Sequence, residues 1–155
     1  MEIDKKQAGT IFIAFIFIVF GISFALNWQP TTQTTDENPN VLKQPISNQQ
    51  RTVFLDSDVT ILTFFFLEEN ADSITVKENV EKLNDDIGEK LLIEEINVNT
   101  YQSFSAEYGV KSVPTVLIRG KENIMAPVRL EGLQEYSKLK ESVCGTYEEE
   151  PAICG

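Results

Sequence analysis

Tyr108-Gly109-Val110-Lys111-Ser112-Val113-Pro114-Thr115-Val116-Leu117 is the stretch on which the reading of the fold turns. A short polar helix is expected to end at Tyr108–Gly109. A single proline then stands directly before the β-branched apolar run that begins at Thr115. Proline has no N–H to give a sheet ladder, so it suits the start of a strand and not its middle.

Working outward, residues 59–67 form a near-continuous β-branched and aromatic run. Such a run is too apolar for an exposed strand and predicts a central one, covered on both faces. Glu68-Glu69-Asn70-Ala71-Asp72-Ser73 breaks it. Val76, Val80, Leu83 and Ile87 then step by four, three and four, the spacing of one helical face. Thr75 and Glu78 have capping-box spacing, with Asp72 or Ser73 as rival caps. Gly88 stands where a left-handed residue would stop that helix. Residues 91–98 read as a strand, and Asn99 or Thr100 as the cap of the short helix ending at Tyr108. Beyond Pro114 the pattern predicts a strand to Arg119, a turn over 120–123 and a strand over 124–130. A last helix follows Gly132, with Leu133, Tyr136, Leu139, Lys140 and Val143 as its apolar seam. Upstream, residues 51–55 read as a short first strand. Strands alternating with helices imply crossovers and a parallel portion, and the hairpin at Gly120 adds an antiparallel edge.

Composition bounds the function. The chain of 155 residues carries 13 basic and 24 acidic side chains, a net of −11. An acidic surface repels phosphate backbones, so no nucleic-acid partner is expected. The absence of histidine removes imidazole bases and the commonest transition-metal ligand, and no metal or cofactor is predicted.

From about Val59 to Val143 the order of elements resembles the thioredoxin-like fold family. The resemblance rests on the aromatic strand ILTFFF running into a helix start, on YGVKSVPTVLI, and on Leu130-Glu131-Gly132 before the closing helix. It implies an α/β fold with a mixed central sheet flanked by helices, and a cis Val113–Pro114 bond. In the catalytic family the central strand runs into W-C-x-x-C, where the helix N-terminus makes a nucleophilic thiolate. Here the two cysteine positions fall on Glu69 and Asp72, or on Asn70 and Ser73. Thiol exchange needs an attacking thiolate, and none is available there. The buried acidic residue of the family's central strand corresponds to Thr63. What the resemblance leaves is a peptide-binding groove at the cis-proline, with Val113, Pro114, Thr115, Glu69, Asn70 and Asp72 as its expected residues. Binding there would be by β-augmentation. An enzymatic role is not favoured; the alternative is a thiol–disulfide oxidoreductase or isomerase using Cys144 and Cys154.

Those two cysteines are the only ones in the chain. They are expected to form a disulfide that closes the tail, residues 144–155, onto the last helix. Ala8 to Leu26 runs without a charge, about the length that crosses a bilayer core as a helix. Residues 1–28 therefore read as an N-terminal anchor, with Ile11–Leu26 as the span in the membrane. A cleavable signal peptide, cut after Ala25, is the rival. Lys5 and Lys6 precede the span, which predicts a cytoplasmic N-terminus and an extracytoplasmic domain. Residues 29–50 are polar and Pro-containing, and read as a flexible tether to a domain over 51–143.

Overall fold

The computed structural model describes residues 38–155. The expected anchor and residues 29–37 of the expected tether lie outside them. No helix among the described residues is long and apolar enough to cross a membrane.

The elements are β1 (Val41–Leu42), α1 (Asn48–Asp56), β2 (Thr60–Phe66), α2 (Ala71–Ile87), β3 (Leu91–Asn97), α3 (Gln102–Glu107), β4 (Thr115–Arg119), β5 (Val128–Glu131) and α4 (Tyr136–Cys144). The sheet order is β1-β3-β2-β4-β5. β3 lies parallel to both β1 and β2, whereas β4 runs antiparallel to β2 and to β5. The expected mixed sheet is present, with β2 at its centre.

Apolar side chains cover both faces of that sheet. On one, Val76, Val80 and Leu83 of α2 join Leu139 and Val143 of α4 over Leu62, Phe64, Ile93, Val116 and Ile118. On the other, Leu55 of α1 packs with Ile46, Ile61 and Leu92. Farther along the same face, Phe104 and Tyr108 pack over Phe65, Ile96 and Leu117. The even and odd positions of β2 thus both meet a core, as a run without polar alternation requires.

Several local expectations are corrected. Residues 51–55 are helical, because Ser47 and Gln50 form a capping box that starts α1. Arg51 and Leu55, one helical turn apart, are the buried residues of that helix. Residues 38–50, expected as part of the tether, belong to the fold: Val41 and Leu42 pair with Ile93 and Glu94, and α1 begins at Asn48. The cap of α2 is Asn70, whose Oδ1 accepts from the Ser73 N–H at 2.8 Å. Thr75 instead donates to the Ala71 carbonyl inside the helix. α3 begins at Gln102 without a side-chain cap. β5 is shorter than expected, leaving Ile124 and Met125 exposed in the hairpin. Leu133 precedes α4 and is exposed, so it is not part of that helix's seam.

Candidate functional site

The C-terminal end of β2 turns sharply into α2. Asn70 donates its N–H to the Leu67 carbonyl at 3.2 Å, and the Leu67 N–H reaches Ser73 Oγ at 3.4 Å. These contacts leave Glu68 and Glu69 exposed at the corner. Across from it runs the segment from Tyr108 to Pro114. Gly109 takes φ +60°, a left-handed geometry that glycine adopts without strain. Arg129 then clamps the turn, donating from Nη1 to the Tyr108 carbonyl at 2.9 Å and from Nη2 to the Gly109 carbonyl at 3.0 Å. Thr115 Oγ1 donates to the Ser112 carbonyl, and the Gly132 N–H to the Pro114 carbonyl. The Val113–Pro114 peptide is cis, as expected.

Leu67 is the ridge between two cavities. On one flank it joins Val98, Ser105, Val110, Ser112 and Val113 around about 200 Å³. On the other it joins Glu68, Glu69, Asn70, Asn97 and Asn99 around about 360 Å³. A third cleft of about 490 Å³ adjoins, lined in part by Phe66, Ile74, Lys77, Glu95 and Tyr101. Among the described residues, neither the N–H nor the C=O of Val113 has a hydrogen-bond partner.

The expected site residues separate accordingly. Val113 lies on one side of Leu67, and Glu69 and Asn70 on the other. Asp72 is exposed in the first turn of α2 and lines neither cavity. Pro114 is buried. Thr115 is fully buried opposite Phe65, with its hydroxyl committed to Ser112.

Sequence reasoning missed a polar cluster below this corner. Thr63 does occupy the central strand, and β3 places Glu94 directly beside it. The Glu94 carboxylate is fully buried. It accepts from Thr63 Oγ1 at 2.6 Å, from the Ile46 N–H at 2.8 Å, and from Arg51 Nη2 at 3.0 and 3.2 Å. A carboxylate so saturated with donors is held in place. Arg51 Nη1 also donates to the Tyr108 hydroxyl at 2.8 Å. Arg119 lies over the Tyr108 ring at 4.8 Å, and its burial lowers its pKa. The signal available in the sequence was Glu94-Glu95 inside an apolar strand. Two carboxylates on opposite faces of a buried strand need a partner on each side; Arg51 serves Glu94, and Lys77 serves Glu95 at 3.2 Å.

Cys144 and Cys154 are disulfide-bonded, as expected. They belong to the opposite end of the sheet. Thr146 shares a 2.6 Å hydrogen bond with Thr60, the first residue of β2, and the Tyr147 hydroxyl donates to the Lys90 carbonyl just before β3. Burial pushes the Tyr147 pKa up to about 12. A seven-residue strand spans about 20 Å, so the tail as folded lies that far from Leu67.

No family model matches the chain. A curated thioredoxin from Chlorobaculum thiosulfatiphilum is 32% identical over 68 residues, which span 44% of this chain and 63% of that protein. Among solved structures, a mutant thioredoxin from Halobacterium salinarum NRC-1 aligns with a TM-score of 0.58 and 23% identity, covering 76% of this chain and all of the other. Chloroplastic thioredoxin z aligns at 0.55 and 21%, covering 66% and 91%. Fasciola hepatica thioredoxin aligns at 0.54 and 19%, covering 69% and 98%. With the strand order, the corner after β2 and the cis-proline before β4, these likenesses show that the chain has the thioredoxin-like fold.

Proposed function

We propose that this chain is a membrane-tethered, extracytoplasmic thioredoxin-like domain that works without catalytic cysteines, by binding an extended peptide or protein segment. The observation that carries the proposal is the unpartnered main chain of Val113 beside the Leu67–Val98–Val110 groove. An incoming strand would use that N–H and C=O for main-chain hydrogen bonds and the groove for a side chain. The stretch from Leu67 to Ser73 contains no thiol, so no exchange chemistry accompanies binding there. The uncharged run Ala8–Leu26 after Lys5 and Lys6 supports the anchor and its orientation. A persistent Cys144–Cys154 bond fits an oxidising compartment.

The alternative is an oxidoreductase acting through Cys144 and Cys154. Partial exposure of Cys154 speaks for it. The distance of the pair from the Val113 groove, at the far end of β2 and β3, speaks against it.

The test uses reduced, carboxymethylated α-lactalbumin as a permanently unfolded probe. Surface plasmon resonance on the domain is expected to give saturable binding. Ser112→Trp, an exposed rim residue of the groove, is expected to weaken it by about tenfold, with thermal unfolding unchanged. Dithiothreitol-driven insulin reduction is expected to stay at the uncatalysed rate. Binding that ignores the Trp substitution, or catalysed insulin reduction, would overturn the proposal.

A further inference from the structure

We infer that the segment taken by this site carries an apolar side chain close to a lysine or arginine, so that the domain selects basic sequences. The inference rests on the peptide-binding proposal above and specifies its ligand. Its ground is the contrast between the two cavities that share Leu67 as a wall.

The cavity on the Val113 flank is walled by Leu67, Val98, Val110 and Val113, and its volume of about 200 Å³ fits one aliphatic side chain. Lys111 stands at its lining, so a second cation is disfavoured there. The cavity on the other flank has the opposite character. Its lining consists of Leu67, two glutamates and three asparagines, with no basic residue. Glu68 and Glu69 are exposed, and neither forms an ion pair among the described residues. Two of the three asparagine side-chain oxygens are already committed: Asn70 Oδ1 caps α2, and Asn97 Oδ1 accepts from the Asn99 N–H. The side-chain acceptors left facing this space are the two carboxylates and Asn99 Oδ1, and an ammonium or guanidinium group complements them.

The neighbouring cleft holds two cations, of which Lys77 is committed elsewhere. Lys43 and Lys77 line it beside Glu68, and Lys77 is already bound to buried Glu95 at 3.2 Å. At longer range the described domain carries 11 basic residues (Lys43 and ten from Arg51 onward) against 20 acidic ones, a net of −9. Both scales of electrostatics favour a basic segment, and both weaken as salt rises. On an extended peptide, residues i and i+2 point the same way about 7 Å apart. That spacing lets one side chain fill the apolar groove while the other reaches across Leu67 to the carboxylates.

The experiment compares three fluorescein-labelled nonapeptides, Gly-Ser-Gly-Leu-Gly-X-Gly-Ser-Gly with X as Lys, Gln or Glu, by fluorescence anisotropy at low salt. The expected order of affinity is Lys, then Gln, then Glu, with about a five- to tenfold span between the extremes. The double variant Glu68→Gln with Glu69→Gln is expected to reduce that span to under about twofold. Equal binding of all three peptides by the unmodified domain would overturn the inference and leave the groove intact. A preference that survives the double variant would overturn it too, since charge would then be read elsewhere. Failure of every peptide to bind would instead overturn the peptide-binding proposal beneath it.

Discussion

Arg51→Ala is expected to destabilise the domain by about 3–5 kcal/mol, the range for removing one partner of a buried ion pair. Arg51 and Glu94 are both buried, at 7% and 0% exposure, and their closest atoms are 3.0 Å apart. Without the guanidinium, Glu94 keeps only Thr63 and the Ile46 N–H as donors and sits uncompensated between two apolar clusters on one face of the sheet. Tyr108 loses a donor at the same time. The damage would not be confined to α1, because the same carboxylate ties the entry of α1 to β3 and β2. Chemical denaturation gives the measurement. A second variant separates lost charge pairing from lost packing. Arg51→Met combined with Glu94→Gln removes both charges but keeps volume and hydrogen bonding toward Ile46 and Thr63. It is expected to recover more than about half of the loss. A double variant as unstable as Arg51→Ala would mean that shape, not charge compensation, sets the cost.

Cys144→Ser with Cys154→Ser is expected to lower stability by about 2–3 kcal/mol, the chain-entropy value for a loop closed across a separation of ten residues. The tail should stay docked in the native state, because Thr146 and Tyr147 are buried and hydrogen-bonded to Thr60 and Lys90 independently of the bridge. Gly120 adds to this fit: a Cβ there would stand 2.5 Å from the Thr146 carbonyl oxygen, so the tail and the end of β4 are in close contact. Denaturation with and without the bridge checks the loss. Peptide affinity at the Val113 groove is expected to be unchanged in the same variant, since the tail lies at the other end of β2. Loss of binding together with the cysteines would favour the redox alternative.

The legible parts of the fold were those where one signal had no rival. Residues 60–66 are apolar on both alternating sets, and only a central, doubly covered strand accommodates that. Pro114 before a β-branched run marked the start of β4. α1 was illegible for the opposite reason: Arg51 to Leu55 is rich in β-formers, and its helix signal lies in Ser47 and Gln50, inside a stretch whose composition resembles a linker. Asn70 was hidden as a cap because Thr75 and Glu78 have the same formal spacing one turn later. Leu67 and Glu68 emerged as site residues only once β3 and the loop after it were in place, since Val98, Asn97 and Asn99 supply the facing walls. Burial of Glu94 likewise depends on an arginine 43 positions away, a pairing that no local pattern encodes.

On the proposed function, the main chain of Val113 is a docking edge for an extended partner. Amide-resolved NMR of the domain, titrated with the Leu-Gly-Lys nonapeptide, addresses it directly. The Val113 N–H is expected to be among the most strongly shifted signals and to become protected from hydrogen exchange at saturation. A Val113 amide that neither shifts nor gains protection while the peptide binds elsewhere would contradict the account.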